Sequence, residues 1–518
     1  MKGIILLACI SFLLFTPLFA QDEIALVPYP VSVKKSEGKY KLPQKITVSL
    51  DIPDHEQDAL FSYLRKELGE LYGIEATLVS RKENANLKFQ LKRMPTGGKP
   101  AYELFVDGSG VRINANFSES AFHGLQTFFQ LIPTGDNDRS LPFVQIFDHP
   151  RFGYRGMHLD VGRHFFPVSF VKKYIDYLAR HKFNRFHWHL TEDQGWRIEI
   201  KSWPNLTAIG GKSQVGGGKG GFYTQEQYKD IVAYAQSRFI TIVPEIDLPG
   251  HINAALVSYP DELLPATTIK LEPGQKRPVA GQPHIGTEVG FSTLSLKKES
   301  TFKFVNDVIR EIAAITPGPY FHVGGDEAQV TKKEDYIEFV NRFKEIVNAN
   351  GKIMIGWEEI AQADLDSTAI AQFWHSREYA KMAAEKGAKI IFSPSTKVYL
   401  DMQYDSTSRI GLNWAAYIEV DSSYRWDPAK LVPGIEREQI IGVEAPLWTE
   451  TALNMDDIEY LAFPRLAGVA EIGWTPSSSR NWDDYKVRLA NHAKPWKAMG
   501  IDFYRSPKVE WADEAKPQ

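Results

Sequence analysis

The sequence predicts an α/β protein in which a small α+β domain precedes a (β/α)8 barrel, the TIM-barrel fold. The composition is the first observation: 43% of the 518 residues are hydrophobic and 24% are charged, which is typical of a folded globular protein. The second observation is a rhythm of apolar strands, loops and amphipathic helices that repeats after Pro150. Eight such βα units are typical of a TIM barrel.

The first twenty residues predict a secretory signal peptide rather than part of the fold. Lys2 precedes an apolar run over residues 3–19, and Ala20 stands before a polar stretch. Pro17 and the short flanks argue against a permanent membrane anchor. The only cysteine, Cys9, lies in this segment, where a loose likeness to a lipoprotein cleavage box makes lipid anchoring the second choice. We therefore expect a secreted or periplasmic protein.

The balance of charge argues against polyanionic partners. The chain carries 60 Lys and Arg against 64 Asp and Glu, a formal net charge of −4. Such a chain offers no electrostatic case for nucleic acid or for an anionic membrane. Its 12 Trp, 22 Tyr and 30 Phe agree with flat apolar ligands such as sugar rings, although most aromatic side chains simply pack.

Residues 21–148 are predicted to form the small α+β domain. Alternating apolar residues indicate its strands and helical spacing indicates its helices. No cluster of potentially catalytic side chains occurs in it. The predicted strands are residues 45–50, 87–91, 102–106 and 110–114, and the predicted helices are residues 56–72 and 118–131, the second with Ser118 as its N-cap.

Residues 149–505 are predicted to form the barrel, and residues 506–518 a frayed tail. Apolar residues at helical spacing separate the strands. The helix before the sixth strand is short, and residues 399–438 follow an irregular pattern. The predicted strands are residues 156–161, 184–190, 241–246, 320–324, 353–357, 370–374, 389–393 and 440–444.

Polar and aromatic residues gather where these strands end. The carboxyl ends of barrel strands carry the functional site in TIM barrels, so this distribution predicts a site there. One polar strand end could belong to a structural network, but a succession of them argues against that interpretation. The residues are Asp160, Arg163, His187, His189, Glu192, Asp193, Glu245, Asp247, His251, His322, Asp326, Glu327, Trp357, Trp374, Tyr399, Asp401, Trp448 and Glu450.

The sharpest motif is HVGGDE at residues 322–327. Its two glycines allow the backbone to approach a ligand closely. Asp326 and Glu327 then supply adjacent carboxylates, whereas the usual glycosidase pair faces across the bond at about 5 Å or about 6.5–9.5 Å. Adjacent side chains point in different directions, so this pair suits two separate tasks: one carboxyl serves the glycosidic oxygen and the other a neighbouring substituent. An isolated Asp-Glu pair usually just opens a helix, but this one follows His-x-Gly-Gly at a strand end.

Five motifs carry a resemblance to glycoside hydrolase family 20, the β-N-acetylhexosaminidases, over residues 27–496. They are RGMHLDVGRH (155–164), HWHLTEDQGWR (187–197), PEIDLPGH (244–251), HVGGDE (322–327) and GVEAPLWTE (442–450). The resemblance implies an N-terminal α+β domain, a catalytic TIM barrel, and neither metal nor cofactor. It also implies an exo-acting enzyme that hydrolyses terminal, non-reducing β-linked GlcNAc or GalNAc.

The resemblance further implies substrate-assisted, retaining catalysis, in which the acetamido oxygen of the substrate is the nucleophile and an oxazolinium ion is the intermediate. Glu327 is then the general acid and base. Asp326 orients the acetamido N–H and stabilises the positive charge, and Tyr399 donates to the acetamido oxygen. The implied substrate-binding residues are Arg163, Trp357, Trp374, Asp401, Trp448 and Glu450.

A supporting set of residues is expected to tune Asp326 and Glu327. The family often has Asp where this chain has Glu192, which leaves open whether Glu192 or Asp193 makes the closer contact. Arg155 is expected to be structural. The set comprises His189, Glu192, Asp193, His251 and His322.

Two alternatives come from other functional classes. His187-x-His189 with His251, His322 and Asp326 could form a metal-dependent amidohydrolase site, since imidazole and carboxylate are suitable ligands. That alternative leaves the tryptophans without a role. A non-catalytic sugar-binding barrel is the other, but it would be expected to lack the general acid. The glycan source and the choice between GlcNAc and GalNAc stay open.

Overall fold

The structure, a computed structural model, describes residues 24–81, 83–135, 138–265 and 277–513. The predicted signal peptide at residues 1–20 lies outside the described residues, together with its cysteine. Among the helices of the described ranges, none is both long enough and apolar enough to cross a bilayer.

The N-terminal part of the chain folds into one seven-stranded sheet. Its strands are β1 (Ser32–Lys41), β2 (Lys45–Asp51), β3 (Glu75–Val79), β4 (Leu87–Leu91), β5 (Tyr102–Asp107), β6 (Gly110–Ala115) and β7 (Ser140–Asp148). Their order across the sheet is β1-β7-β5-β6-β4-β2-β3. The four predicted strands are present, each within one residue of its predicted ends. The prediction omits β1, β3 and β7; β1 and β3 are edge strands, which lack a clear alternation of apolar residues.

Two helices pack on this sheet, α1 (Asp54–Tyr72) and α2 (Ser118–Leu131). The predicted N-cap at Ser118 is wrong, because Phe117 occupies the cap position and no side chain caps the helix. Nearly every residue of α2 is buried, because the helix also faces the barrel. The His123 ring lies 5.0 Å from the Trp474 ring, which belongs to a barrel helix.

The second part of the chain is a closed barrel of eight strands, which confirms the predicted TIM barrel. Each strand pairs in parallel with its neighbours, and the last strand closes onto the first. The strands are β8 (Tyr154–Asp160), β9 (Arg185–His189), β10 (Thr241–Glu245), β11 (Tyr320–His322), β12 (Ile353–Trp357), β13 (Ala369–Phe373), β14 (Lys389–Phe392) and β15 (Ile440–Ala445).

Helices fill the connections between these strands and follow the last one. They are α3 (Val168–Arg180), α4 (Asn205–Ala208), α5 (Gln225–Gln236), α6 (Asn253–Ser258), α7 (Pro260–Leu263), α8 (Glu299–Ile315), α9 (Lys333–Ala349), α10 (Arg377–Glu385), α11 (Ser395–Val398), α12 (Val420–Tyr424), α13 (Pro428–Leu431), α14 (Met455–Ala462), α15 (Arg465–Trp474), α16 (Trp482–Ala490) and α17 (Ala493–Ala498). Short 3-10 turns occupy Val215–Gly217, Glu358–Gln362, Arg437–Gln439 and Ser477–Ser479.

The strand register sets the level of the polar strand ends. Asp160 pairs with His189, His189 pairs with Glu245, and Glu245 pairs with His322. Four neighbouring strands therefore place their last polar residues in one layer at the carboxyl end of the barrel, where the site was predicted.

Residues 506–513 do not fray as predicted. Trp511 is only 5% exposed, and its ring lies 5.1 Å from that of Phe503. Asp513 is paired with Arg505 and Lys497. The charged composition of this stretch reflects ion pairs on the barrel surface, which composition alone does not distinguish from a solvated tail.

Candidate active site

The carboxyl ends of the barrel strands surround a pocket of about 260 Å³. This is close to the lower end of ligand-pocket volumes, about 300 Å³, so it suits a single small ring rather than a long chain. The predicted residues that line it are Arg163, His251, Asp326, Glu327, Trp374, Tyr399, Asp401, Trp448 and Glu450. The lining residues that the sequence did not predict are Thr287, Val289, Leu412 and Trp414.

The adjacent carboxylates follow β11 on a glycine turn. Gly324 and Gly325 have φ angles of 66° and 99°, in the region that favours glycine. A Cβ on Gly324 would lie 1.7 Å from Oδ1 of Asp247, and that same oxygen accepts the N–H of Gly325 at 3.0 Å. Glu327 itself has a φ of 46°. Such a conformation in a non-glycine residue needs support from its surroundings, and it is typical of functional sites.

His251 is the cation between the carboxylates. Its Nδ1 lies 2.9 Å from Oε1 of Glu192, while its Nε2 lies 3.8 Å from Oδ2 of Asp326 and 3.4 Å from Oε2 of Glu327. Burial opposes the charged form of His251, but Glu192, Asp326 and Asp247 outweigh it and raise its pKa well above the ordinary value. The imidazole is therefore charged at neutral pH.

The two adjacent carboxyls have opposite pKa shifts. Burial raises the pKa of Asp326 to about 6; His251 opposes this rise and the charge of Glu327 adds to it. Burial also acts to raise the pKa of Glu327, but the hydrogen bond and charge of His251 lower it below the ordinary value. Asp247, behind Asp326, has its pKa raised well above the ordinary value by burial and by Asp326. The environment thus separates three neighbouring carboxyls by their readiness to lose a proton.

Glu192 rather than Asp193 makes the contact that the sequence left open. It binds His251 through one oxygen, and its other oxygen lies 3.0 Å from Nη1 of Arg163 and 3.3 Å from Nε2 of His189. Asp193 instead accepts the backbone N–H of Asn253 at 2.9 Å and the hydroxyl of Ser292 at 2.6 Å. The extra methylene of Glu192 lets one carboxylate join the arginine to the charged histidine.

Arg163 lies at one side of the pocket. Its guanidinium carbon is 4.8 Å from the ring centre of Trp448, and its Nε is 3.9 Å from Oε1 of Glu450. The Nε of Arg163, Oε2 of Glu450 and Oδ1 of Asp326 are buried atoms without a hydrogen-bond partner. Buried polar atoms normally have partners, so these three are available to a polar ligand.

Glu245 organises the layer beneath the pocket. Its carboxylate oxygens lie within 3.0 Å of ring nitrogens of His187, His189 and His322, and one of them accepts the indole N–H of Trp357 at 3.0 Å. His322 and His189 therefore reach the carboxylate pair only indirectly, His189 through Glu192. Trp357 has no exposed surface and does not line the pocket, so its predicted contact with a ligand stays a prediction.

The ligands proposed for the amidohydrolase alternative do not meet at one point. Among the described residues, His187 and His322 cluster with Glu245, whereas His251 and Asp326 cluster with Asp247. His187 also binds Oε1 of Glu444 at 2.7 Å. A shared metal position for all five predicted ligands is therefore not present in this arrangement.

Aromatic side chains wall the rest of the pocket. Trp374 and Tyr399 are stacked with ring centres 6.3 Å apart, and Tyr399 lies 6.3 Å from Trp448. Trp414, which is 55% exposed, stands edge-on to both Trp374 and Tyr399 at 6.1 Å. Trp414 comes from the irregular segment after β14, where no periodic pattern could have identified it. Arg155 is structural as expected: it is buried and donates to the carbonyls of Lys182 and Phe152.

The sequence pattern of glycosyl hydrolase family 20, catalytic domain, matches residues 152–477, and the pattern of domain 2 of that family matches residues 23–149. The chain belongs to glycosyl hydrolase family 20. This membership confirms the predicted resemblance and makes the protein a glycoside hydrolase.

Named relatives of this family 20 hydrolase agree with that assignment. The chain is 37% identical to a β-N-acetylhexosaminidase of Cellulomonas fimi, with 94% of this chain and 97% of that one aligned. Among solved structures, it is 42% identical to the Streptomyces plicatus N-acetyl-β-hexosaminidase in complex with Thio-NAglucal, with a TM-score of 0.88 over 94% of this chain and 98% of that one. An exo β-N-acetylglucosaminidase of Vibrio harveyi in complex with N-acetylglucosamine is 31% identical, with a TM-score of 0.81 over 93% of this chain and 78% of that one.

The glycine turn of the hydrolase yields a stability prediction. Gly324→Ala should lower the free energy of unfolding by about 1–2 kcal/mol for the left-handed backbone plus about 1–3 kcal/mol for the clash with Asp247. Gly351→Ala is the matched control, because Gly351 has a φ of 73° but open space around its Cβ position. Urea denaturation of both variants measures the difference. Equal losses would contradict the close packing of Asp247 against the turn.

Proposed function

We propose that the protein is an exo-acting β-N-acetylhexosaminidase that releases terminal, non-reducing GlcNAc or GalNAc with retention of configuration. The observation that carries the proposal is the adjacent pair Asp326 and Glu327 at a pocket of one-sugar size. The two carboxyls are held by a single turn and share the cation His251. This arrangement suits a substrate that brings its own nucleophile.

In the proposed first step, the carbonyl oxygen of the substrate's acetamido group attacks C1 while Glu327 gives its proton to the departing glycosidic oxygen. Asp326 accepts the acetamido N–H and stabilises the positive charge of the oxazolinium ion. In the second step, Glu327 takes a proton from water while the oxygen of that water attacks C1. The bond between C1 and the acetamido oxygen breaks, which opens the oxazolinium ring. Two displacements at C1 retain its configuration. An oriented internal nucleophile can lower the barrier by up to about 7–11 kcal/mol.

The protonation of Glu327 depends on the bound sugar. In the free site, His251 keeps the pKa of Glu327 below its ordinary value, which favours the ionised form. A sugar ring over the carboxyl would exclude water, and burial disfavours the charged form of a carboxyl. Binding therefore shifts Glu327 toward the protonated acid that the first step needs.

Tyr399 is suited to hold the acetamido oxygen. It is 3% exposed and lines the pocket beside Trp374 and Trp448. Burial, together with the charge of Asp326, raises its pKa well above the ordinary value, so the phenol keeps its proton and donates at neutral pH. The aromatic faces beside it offer apolar contact for the acetamido methyl group and the sugar ring.

The exo preference is supported by the polar groups around the pocket. Arg163, Asp401 and Glu450 bring hydrogen-bonding groups to it, and Arg163 and Glu450 each have an atom free for a sugar hydroxyl. A relative described as an exo β-N-acetylglucosaminidase shares the fold. We also propose a secreted or periplasmic location, because residues 1–20 have the pattern of a signal peptide.

The proposed activity predicts a sharp substrate difference. A chromogenic β-N-acetylglucosaminide should be hydrolysed and the matching β-glucoside should not, because only the first carries the acetamido nucleophile. Rates are measured by release of the chromophore, with and without EDTA, and a matched preparation of Glu327→Gln controls for contaminating enzymes. Equal cleavage of both sugars would contradict the mechanism. Loss of activity in EDTA would favour a metal-dependent hydrolase, and binding without cleavage a sugar-binding barrel.

The raised pKa of Asp326 predicts the acid limb of the pH profile. The ionised form accepts the acetamido N–H more strongly and alone carries the negative charge that stabilises the oxazolinium ion, so kcat/KM should fall as the pH is lowered through about 6. The charged and titratable groups near Asp326 include His251, Glu327, Asp247, Glu245, Glu359, Tyr399 and Tyr336. Asp326→Asn should be much less active and should lack the inflexion near this pH. An unchanged inflexion in Asp326→Asn would assign the limb to another group.

A further inference from the structure

Two carboxylates outside the reacting pair hold the wall of the pocket. Glu358 and Glu359 follow β12 directly and form the start of a 3-10 turn. Both reach across to the end of the next strand, β13, where Trp374 begins the loop that lines the pocket. Neither carboxylate lines the pocket.

Glu358 fixes the backbone of this loop. Its Oε2 accepts the N–H of Trp374 at 2.6 Å, and its Oε1 accepts the N–H groups of His375 at 2.9 Å and Ser376 at 2.5 Å. The side chain has no exposed surface. Three N–H groups of consecutive residues that converge on one side chain define the path of the chain.

Glu359 fixes the ring of the same residue. Its two oxygens lie 3.2 Å and 3.1 Å from the indole Nε1 of Trp374. The backbone and the indole of Trp374 are therefore held by neighbouring carboxylates. The contact with Glu359 favours the one rotamer in which the indole N–H faces that carboxyl.

The orientation matters because Trp374 contacts the residues that face the ligand. Its ring stacks on Tyr399 with an interplanar angle of 17° and meets Trp414 edge-on. A rotation of the indole would open this wall of the pocket and remove the ring that stacks on Tyr399. Effects of this kind act on the placement of a reacting group rather than on its chemistry.

We propose that Glu358 and Glu359 are positioning residues that hold Trp374 in the orientation in which it confines the acetamido group of the substrate. The inference rests on the proposed function, in which that group is the nucleophile. Neither carboxylate touches the reacting atoms, so their effect passes through the tryptophan.

A double-mutant cycle tests this route. Glu359→Ala should lower kcat for a β-N-acetylglucosaminide by about tenfold to a hundredfold, with a smaller change in KM, because the nucleophile is misplaced. Glu359→Gln should recover most of the rate, because its amide oxygen still accepts the indole N–H. In a Trp374→Phe background, which has no indole N–H, Glu359→Ala should have no further effect beyond about twofold. If Glu359→Ala lowers kcat by the same factor in the wild type and in Trp374→Phe, the proposal is overturned.

Controls separate positioning from folding. Glu378→Gln removes an exposed carboxylate from α10, just after the Trp374 loop, and should leave kcat and KM unchanged. Glu358→Gln places amide protons against the backbone N–H donors and should therefore lower kcat. Neither a higher substrate concentration nor a change of assay temperature should restore it. If that variant does not fold, the Glu359 cycle still decides the proposal.

A spectroscopic measurement distinguishes this proposal from the proposed function. The indole N–H proton resonance of Trp374, identified as the one that Trp374→Phe removes, should move upfield in Glu359→Ala. If the wild type cleaves no N-acetylhexosaminide, the proposed function fails, yet a shifted resonance still supports the hold of Glu359 on Trp374. An unshifted resonance overturns that hold whatever the activity.

Discussion

The site depends on one buried cation among several carboxyls. His251 faces Glu192, Asp247, Asp326 and Glu327, and it is almost fully buried. Burial of so many acidic groups disfavours their ionised forms, so the protein cannot keep all of them charged. One imidazolium compensates part of the charge, and the raised pKa of Asp247 removes another part. The different proton affinities of Asp326 and Glu327 follow from this arrangement.

The same cation is connected to the rim of the pocket. Glu192 binds His251 through one oxygen and Arg163 through the other. Two side chains, Glu192 and His251, therefore connect Arg163 to Glu327. The strained backbone at His251 and Glu327, with φ angles of 50° and 46°, is held within this ion-pair network.

The features of the fold and the site that periodicity and motifs can predict are present in the structure. The barrel, its eight strands and the pocket residues on short strand-end motifs are present, because buried parallel strands give compact apolar runs. Trp414 and Val289 line the pocket from loops, where no period exists to detect. Glu245 and Asp247 stand at a predicted strand end, but their partners depend on the register between strands. The contacts of Glu358 and Glu359 with Trp374 cross between two neighbouring strand ends, and no spacing along the sequence predicts them.

The proposed mechanism requires the acetamido oxygen of the substrate to be the nucleophile. The most direct measurement is kcat/KM for chromogenic glucosaminides that carry an acetyl, fluoroacetyl, difluoroacetyl or trifluoroacetyl group on nitrogen. Each fluorine withdraws electrons from the carbonyl oxygen, so the proposed mechanism predicts a steep and regular fall in kcat/KM along the series. Rates that stay level along the series would contradict it and would require a carboxylate of the protein as the nucleophile.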